Sequence, residues 1–532
     1  MNHHLTLSRR AFRAAEEALR ANKAWTKKVP MVNTARPMSP ASRVRKWIVL
    51  IGLSTTVCTM SLAQTNVVPE GGEFAVSGAI PGNQIQPALA FGPAGGLVVC
   101  DDNASDPSGR GITGFRLNAA LAPVGGPFRI NQTLIGDQQR PRVAALNDGG
   151  MVVVWENEGP GPKKGVAGPK NISARFLDAN GTFITDELVA NQIAYSIDHR
   201  ITTNWVLIRN NKARPRTQKI REIIKSREEF NANPTVITLN DGNVVVVYSS
   251  SRTFQMKSIG LSERLRWDYA HSLFVTNRTR VPVTLAYDYM QDVYAQRFSP
   301  TGAKLGDEIV VNRTRDFNQR NAGVAALSSG GFVVCWINEL PMAESRIRVN
   351  DDAPQQSGGR VDVFARVFGA DGTPAGDEFR VSTATWASGA PVVAGQKDGG
   401  FTIAWVQRDS ARENGLDIWF RSFDGTSTAV GVPVRANTYI RGDQFAPAIV
   451  AVGGRQLLVW SSMGQDGSWE GVYARVLEGG AVGDDEFRVN TTRYLRQINP
   501  AVGSSGTGAI IVWSSYGFDS GFDLFGQRYR AP

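Results

Sequence analysis

The sequence predicts an all-β protein: a seven-bladed β-propeller of four-stranded antiparallel blades. Three observations predict this fold. A motif of glycines, apolar residues and an aromatic residue recurs along the chain, the apolar runs in it are continuous, and the two ends of the repeat region carry complementary fragments of one repeat. A chain of 532 residues with 55 glycines is too long for one ordinary core and rich in turns, which agrees with a repeat architecture.

The recurring motif consists of Gly-Gly, four apolar residues and an aromatic residue. It ends at Trp155, Tyr248, Trp336, Trp405, Trp460 and Trp513, and a first copy, "GGLVVCD", ends at Asp101. A short apolar strand that usually opens with Pro precedes each copy, and an alternating strand such as "DVYAQRF" (292–298) follows it. A Gly-containing turn then leads to a last strand such as "GDEFRVS" (376–382). Four short strands joined by turns describe one antiparallel blade.

The second strand of each repeat decides between architectures. Residues such as Val244 to Val247 are apolar on both faces, whereas a strand of a solvated sheet alternates. Both faces must therefore be covered. In a propeller each blade lies between two neighbours, and seven repeats fall within the usual range of about 4 to 8 blades.

The ends of the repeat region predict how the ring closes. The seventh repeat stops at Arg530 after its third strand, while "GGEFAV" (71–76) is a fourth strand without a blade. We expect the N-terminal strand to complete the last blade, which removes the open edges of an unclosed array.

The motifs "GGFVVCW", "DVYAQRF" and "GDEFRV" resemble a repeat of bacterial secreted β-propeller proteins of the surface and hemolysin type. The resemblance covers about residues 71–532. It implies the propeller fold and an extracellular setting, and it says hardly anything about function.

The N-terminal region predicts that the protein is exported. Arg43, Arg45 and Lys46 precede the apolar run "WIVLIGLSTTVCTMSL", and "SLA" precedes Gln64, so that residues 38–63 have the parts of a signal peptide. We expect a propeller over 64–532, in the secreted or periplasmic space. The run is short for a membrane span, so no stable span is expected after processing. Residues 1–37 are interpreted as an over-extended or unstructured basic N-terminus.

Charge argues against a nucleic-acid partner. The net charge is +10, but residues 1–63 hold 11 Lys and Arg against 2 acidic residues, so the remainder of the chain is close to neutral. A near-neutral body lacks the broad basic face that phosphate backbones require.

Cysteine and histidine supply limit the chemistry. Cys100 and Cys335 fall at what the motif indicates is one position of two repeats, which predicts small buried residues and neither a disulfide nor a metal pair. Outside the leader only His199 and His271 remain, too few for a three-histidine site. We expect no cofactor and no metal, with calcium in the loops 465–471 and 517–523 as an open alternative.

Repeated acids are interpreted as structural. Asp292, Asp362, Asp417 and Asp523 all begin third strands, and a role shared by several blades is unlike a single catalytic centre. We expect them to cap turns or to tie neighbouring blades.

Long connections mark one face of the predicted propeller. The segments 157–170, 195–231, 252–290 and 339–360 all lie on the side that carries the connections between second and third strands and between blades. Residues 195–231 hold 9 Lys and Arg against 4 acidic residues, and "TQKIREIIKSREEF" predicts a short surface helix. Loops on a rigid scaffold usually carry binding, so this face is the candidate binding face.

Two sets of side chains are candidate ligand-binding residues. The insertion 252–290 groups residues able to stack on a sugar ring and to hydrogen-bond its substituents: Arg264, Arg266, Trp267, Asp268, Tyr269 and His271. Aromatic residues in other connections of the same face would form a sugar platform: Trp386, Tyr439, Trp469 and Tyr494.

Three functions are compatible with these observations. The leading expectation is a secreted, non-enzymatic binding or adhesion propeller, a monomer that recognises a polysaccharide or an extracellular protein through the insertion-bearing face. The alternatives are a propeller glycoside hydrolase or lyase, and a structural module of the cell envelope. A cluster of unlike, strongly perturbed ionisable groups would favour the enzyme, and a shallow aromatic surface would favour binding.

Overall fold

The structure is a computed structural model, and it describes residues 67–530 except for 79, 108, 160–169, 192–200, 209–215, 224–229, 252–261, 269–272, 280–290, 316–317, 341–359, 385, 409–414, 484, 507 and 518–519. The described residues belong to one compact unit, Leu62–Pro532. They contain strands and turns and no helix. The prediction of an all-β chain is therefore confirmed, and the fold is propeller-like.

The strands fall into seven repeat units. β1 (Val68–Ala75) precedes unit 1, which contains β2 (Gln84–Gly92), β3 (Gly95–Asp102), β4 (Gly111–Leu117) and β5 (Pro123–Arg129). Unit 2 contains β6 (Gln138–Ala145), β7 (Met151–Glu158), β8 (Lys170–Leu177) and β9 (Leu188–Val189). The strands β10 (Ile201–Ile208) and β11 (Arg216–Ile223) pair with each other before unit 3, which begins with β12 (Phe230–Thr238) and β13 (Val244–Ser251).

Unit 3 contains a second inserted pair, β14 (Ser262–Asp268) and β15 (Leu273–Thr279), and ends with β16 (Gln291–Phe298) and β17 (Lys304–Val310). Unit 4 contains β18 (Gln319–Ala326), β19 (Phe332–Leu340), β20 (Arg360–Phe368) and β21 (Phe379–Arg380). Unit 5 contains β22 (Ser388–Gly395), β23 (Phe401–Arg408), β24 (Leu416–Phe423) and β25 (Ala429–Arg435).

Unit 6 contains β26 (Gln444–Val452), β27 (Arg455–Met463), β28 (Glu470–Glu478), β29 (Ala481–Val482) and β30 (Phe487–Arg488). Unit 7 contains β31 (Gln497–Ser504), β32 (Gly508–Gly517) and β33 (Gly521–Arg530). Within each unit the strands pair antiparallel in chain order, except that β13 pairs with β16 while β14 pairs with β15, and that β30 pairs with β28. One parallel contact, between Phe230 and Lys170, joins units 2 and 3 in a single sheet.

The order of the units can be followed through their first strands. β2 contacts β6, β6 contacts β12, and the series continues through β18, β22 and β26 to β31, which contacts β2. The N-terminal strand β1 lies antiparallel to β33 at the outer edge of unit 7, with Phe74 opposite Gly526. Segments from the two ends of the described chain thus share one sheet.

The second strands lie in the core because neighbouring sheets cover both of their faces. Every residue of β13 is buried. The aromatic residues that end the repeated motif are fully buried or nearly so: Trp155, Tyr248, Trp336, Trp405, Trp460 and Trp513. Trp460 of unit 6 packs in one cluster with Ile418 and Phe420 of unit 5, which shows how one unit covers the next. Burial of such side chains on both faces is a main source of stability here.

Each first strand carries a β-bulge close to its start. The register shifts there in all seven units, and the residue before the Pro position has a positive φ: Gln86, Arg140, Asn233, Asn321, Ala390, Ala446 and Asn499. The prediction that these strands open with Pro is wrong, since β6 begins at Gln138, three residues before Pro141. A bulge tolerates Pro inside a strand because no ladder hydrogen bond is required there.

Two further predictions are corrected by the strand pairing. The segment predicted as a surface helix contains β11 over Arg216–Ile223, because the β-branched and aromatic strand β10 offers it a backbone partner that overrides local helical spacing. Cys100 and Cys335 do not occupy equivalent positions in their repeats. Cys335 pairs with Gly323 directly after the bulge, and the residue of unit 1 that pairs in this way, with Ala88, is Val99. Both thiols are buried and free, and burial raises the pKa of Cys335 to about 12.

Candidate functional site

The bulges of the first strands create contacts between neighbouring units. A bulge leaves a backbone N–H outside the strand ladder, and in three units this N–H donates to a side chain at the end of the preceding second strand. Arg140 N donates to Asp101 Oδ1 (2.8 Å), Asn233 N to Glu156 Oε1 (2.7 Å), and Asn321 N to Ser249 Oγ (3.2 Å). The same side-chain position therefore faces the next unit around the series.

Acids occupy this position only in units 1 and 2. Strand register makes Asp101 and Glu156 equivalent, and the other units place neutral residues there: Ser249, Ile337, Val406, Ser461 and Ser514. The repeat does not need a carboxylate at this position. Asp101 and Glu156 are therefore candidates for a function beyond the fold.

Basic side chains surround these two acids. Arg110 Nη1 lies 3.6 Å from Asp101 Oδ2, and Arg140 Nη1 lies 3.3 Å from Glu156 Oε1. The charge of Arg142 also acts on both acids. We call these five residues, Asp101, Arg110, Arg140, Arg142 and Glu156, the acid–arginine cluster. Lys170 borders it, with Nζ 3.7 Å from Glu156 Oε2 and 3.6 Å from Glu158 Oε2.

The acids of the cluster lie beneath its bases. The side chains of Asp101 and Glu156 are 1% and 4% exposed, whereas those of Arg110 and Arg140 are 40% and 44% exposed. The side chain of Arg142 on β6 is exposed, and desolvation by the protein around it lowers the pKa of its guanidinium. The cluster therefore presents guanidinium groups to solvent and keeps carboxyl groups behind them.

Asp101 has an unusual protonation equilibrium. Burial raises the pKa of its carboxyl to about 7, and this effect outweighs the hydrogen bond from Arg140 N and the charges of Arg110 and Arg142, which lower it. Its Oδ2 is buried and accepts no hydrogen bond from the described residues. A carboxyl with these properties binds and releases a proton near neutral pH, as general acids and bases in active sites do.

The cluster lies on the face where the sequence places the insertions. Asp101 and Glu156 are near the ends of β3 and β7, where the chain enters the connections to the third strands. One of those connections is the predicted insertion 157–170, of which residues 160–169 lie outside the described part. The site is thus at the start of the connections from the second to the third strands of units 1 and 2.

The predicted residues of the 252–290 insertion are only partly described. Arg264, Arg266, Trp267 and Asp268 belong to β14, whose backbone pairs with β15. Tyr269 and His271 lie outside the described residues. The backbone of β14 contacts β11 of the 195–231 insertion, so the structure brings strands of the two insertions together.

The predicted aromatic platform lies in the connections of units 4 to 7, away from the cluster. Trp386, Trp469 and Tyr494 are 47%, 54% and 77% exposed, and Tyr439 is half-buried. The guanidinium of Arg496 lies 5.3 Å from the Trp469 ring centre. These aromatics are accessible, and their role in sugar binding stays a prediction.

The repeated acids make contacts inside their own units, and Asp523 accepts a hydrogen bond from the nearby Ser520 hydroxyl at 2.5 Å. Asp292 and Asp417 accept hydrogen bonds from the Asn312 and Asn437 amides, both at 2.7 Å. Asp362 pairs with Arg380 at 2.8 Å, across the third and fourth strands of unit 4. These contacts agree with a structural role.

A second set of acids, which the sequence did not reveal, links neighbouring units. Glu378 of unit 4 accepts hydrogen bonds from Arg313 N and Thr314 N of unit 3, at 2.7 and 3.0 Å. Equivalent links are made by Glu187 to unit 1, by Glu486 to unit 5 and by Glu73 to unit 6. The Glu recurring in "GDEF" and "GGEF" was the available signal.

Other features of the described residues offer no competing site. A cavity of about 190 Å³ beside Lys397 and Arg455 lies at the turns between first and second strands, on the opposite face. One of about 510 Å³ lies beside the unit 3–4 link at Glu378. No group of three or more His, Cys, Asp or Glu among the residues described is placed to hold a metal ion, and none of their segments is a helix able to span a membrane.

Comparison with known proteins finds similarity in structure alone. No family model and no curated protein matches the chain. A polysaccharide lyase, an ulvan lyase, is 10% identical, covers 85% of this chain and 94% of its own, and has a TM-score of 0.46. An α-L-arabinanase of Penicillium chrysogenum is 10% identical, with 87% and 98% covered and a TM-score of 0.42. A Dyadobacter fermentans protein of unknown function is 12% identical, with 74% and 94% covered and a TM-score of 0.41.

This comparison corrects the leading expectation. The leading expectation was a non-enzymatic binding or adhesion protein, whereas the ulvan lyase and the arabinanase are carbohydrate-active enzymes.

Proposed function

We propose that the protein is a carbohydrate-active enzyme, a glycoside hydrolase or a polysaccharide lyase, with its catalytic centre at the acid–arginine cluster. One observation carries the proposal: the buried Asp101 carboxyl has a pKa raised to about 7 and lies among arginines at a position where units 3 to 7 have neutral residues. Unlike ionisable groups that perturb one another are a property of active sites.

The scaffold we propose is a seven-bladed propeller, with each unit as one blade and β1 completing the last. The contacts of the first strands, which return from β31 to β2, support the ring. The pairing of β1 with β33 supports its closure. The predicted signal peptide at 38–63 and a monomeric, secreted or periplasmic enzyme belong to the same proposal.

The proposed chemistry assigns Asp101 the proton transfer. Its protonated carboxyl donates to the glycosidic oxygen as the bond from that oxygen to carbon breaks. In hydrolysis, the bond to the anomeric carbon breaks, water supplies the hydroxyl that replaces it, and the remaining proton of water returns to Asp101. In elimination, the bond to C4 breaks, Glu156 accepts the proton from C5, and a C4–C5 double bond forms. Both reactions use Asp101 as the proton donor, so the cluster is compatible with either.

Arg140 connects the two acids of the cluster. Its backbone N–H donates to Asp101 and its guanidinium donates to Glu156, so the positions of the two carboxyls are coupled. Arg110 lies beside Asp101 Oδ2 and is the more exposed of that pair. A substrate group that drew the Arg110 guanidinium towards itself would uncover the Asp101 carboxyl.

The test is a cleavage assay with product analysis. Protein expressed from the full sequence is incubated with a panel of neutral and acidic polysaccharides, and new reducing ends are measured. Oxygen from isotopically labelled water in the product identifies hydrolysis, and ultraviolet absorption by an unsaturated sugar identifies elimination. We expect cleavage of at least one polysaccharide.

The matched variants are Asp101→Asn and Asp485→Asn. Asp485 is an exposed acid of unit 6, so its substitution makes the same chemical change outside the cluster. We expect Asp101→Asn to lower the cleavage rate by about 100-fold or more, and Asp485→Asn to leave it unchanged. No cleavage of any polysaccharide by a folded wild-type protein, or equal rates for Asp101→Asn and wild type, would contradict the proposal.

A further inference from the structure

The surroundings of the acid–arginine cluster hold the backbone of Arg110 and the side chains of Arg140 and Arg142. Arg110 donates its backbone N–H to Asp137 Oδ1 at 3.0 Å, and its carbonyl accepts from Gln138 N at 2.9 Å. Arg140 Nη1 donates to Glu156 Oε1, and Arg142 Nη1 donates to the Pro141 carbonyl at 2.8 Å. A side chain held by such a bond loses less conformational entropy when it binds a ligand.

These guanidinium groups retain donors for a ligand. Each guanidinium has five N–H donors. Arg110 lies 3.6 Å from its carboxylate partner and makes no hydrogen bond through its guanidinium to the residues described. Arg140 uses Nη1 for both Glu156 and Asn233, which leaves its other nitrogens. The planar fork of guanidinium suits the oxygens of carboxylate and sulfate groups.

Charge at the site exceeds what the acids neutralise near neutral pH. The cluster has three arginines and two carboxyls, and Asp101 holds a proton for part of the time because its pKa is about 7. The cluster therefore has a net positive charge, although the chain outside the leader is close to neutral.

We infer that Arg110, Arg140 and Arg142 bind a carboxylate or sulfate group, so that the substrate of the proposed enzyme is an anionic polysaccharide. Calling the ligand a substrate rests on the proposed function, but binding at this site does not require that the ligand is cleaved. Asp101 and Glu156 contact the arginines on the protein side, and the anionic group of the ligand would contact them on the solvent side.

Binding is tested with three polymers that differ in their charged group. Polygalacturonate supplies carboxylates, dextran sulfate supplies sulfates and dextran is neutral. Calorimetric titration of the protein expressed from the full sequence should give at least about 10-fold tighter binding of one polyanion than of dextran. The polyanion preferred by the protein identifies the charged group.

The variants Arg110→Gln, Arg140→Gln and Arg142→Gln should each weaken polyanion binding by about 10-fold, the loss of one charge-assisted contact. Arg493→Gln removes an exposed arginine of the same face, between units 6 and 7, and should leave binding unchanged. Thermal unfolding identifies a variant that fails to fold. Arg110 makes no hydrogen bond through its guanidinium to the residues described, so Arg110→Gln tests the site if Arg140→Gln unfolds.

Two results would overturn the proposed anion-binding site: equal affinity for dextran and both polyanions, or a loss of polyanion affinity in Arg493→Gln as large as in the cluster variants.

The experiments distinguish a wrong binding site from a wrong proposed function. Polyanion binding that depends on the cluster, without cleavage, supports the site and contradicts the enzyme. Cleavage of a neutral polysaccharide without polyanion binding supports the enzyme and overturns the site.

Discussion

At the scale of single residues, the proposed function rests on Asp101, which is an acid at a position where units 3 to 7 have neutral residues. Positions that all units share maintain the fold, as the buried tryptophans do. Asp101 and Glu156 break the pattern, and both accept hydrogen bonds from the next unit's bulge. An acid that the repeat does not require, buried at a cost in desolvation, indicates selection for chemistry.

The sequence could not reveal this departure. The alignment of "GGLVVCD" placed Asp101 at the aromatic position, whereas strand pairing shows Cys100 there, matching Trp336. The nearness of Arg110 and Arg140 to Asp101 arises from packing between two units. Sequence spacing contains no signal for such a contact.

The raised pKa of Asp101 predicts a pH-dependent cost in stability. Its folded pKa of about 7 exceeds the ordinary aspartate pKa of 3.8, so the folded state holds the proton more tightly between these values and loses stability as pH rises from one to the other. Asp101→Asn removes this cost. Between about pH 4 and pH 8, the free energy of unfolding of the variant relative to wild type should rise by up to about 4 kcal/mol. Urea unfolding at several pH values measures it, and a difference that stays constant with pH would contradict the raised pKa.

The positive φ at the bulges predicts opposite effects of one substitution at two nearby alanines. Ala390 has a φ of 46°, which disfavours a side chain, so Ala390→Gly should raise the free energy of unfolding by about 0.5–1 kcal/mol. Ala387 is exposed and has no positive φ, so Ala387→Gly should lower it by about the same amount. Thermal unfolding of both variants checks the prediction, and equal signs would refute it.

At the scale of secondary-structure elements, the repeat motif predicted most strands well. The segment "DVYAQRF" lies in β16, and "GGEFAV" overlaps β1. Errors arose where backbone partners or bulges decide the structure: β11 replaced a predicted helix, and Pro141 lies inside β6. Local patterns indicate which face of an element is buried, but they do not show which partner a strand finds.

The glutamates that link neighbouring units predict a measurable contribution to stability. Glu486 accepts hydrogen bonds from Thr438 N, Tyr439 N and Gln465 Nε2. Glu486→Ala should lower the free energy of unfolding by about 1–3 kcal/mol, since charge-assisted bonds to the next unit are lost. Asp485→Ala, an adjacent exposed acid, should change it by less than about 0.5 kcal/mol. Equal effects of the two variants in urea unfolding would show that the link contributes nothing.

At the scale of the whole molecule, the pairing of the chain ends predicts the effect of a truncation. Removal of residues 67–76 exposes the edge of β33, with which β1 pairs, and removes the Glu73 link to Thr491 and Thr492. The truncated protein should unfold at a lower temperature and associate through its open edge. Gel filtration and thermal unfolding check this result. A monomeric truncated protein of unchanged stability would contradict a closing role for β1.

The architecture also explains why the all-β, propeller-like fold was predictable and the site was not. Apolar runs and glycine turns repeat in every unit and can be seen in one dimension. The cluster combines Arg110 of unit 1 with Arg140 and Glu156 of unit 2, at a junction between sheets. The proposed site lies on the face where the sequence places the insertions, and that this face binds a ligand stays a prediction.

The central claim is that Asp101 transfers the proton in glycan cleavage, and the pH dependence of kcat/KM tests it most directly. Wild type should lose activity as pH rises through about 7, where the Asp101 carboxyl loses its proton. The positive charge of Arg110 lowers the pKa of Asp101, so Arg110→Gln should move this limb to higher pH. A limb near pH 7 that moves upward in Arg110→Gln and disappears with the activity in Asp101→Asn is the predicted result. A limb that stays in place in Arg110→Gln, or that persists in Asp101→Asn at wild-type rates, would contradict the account.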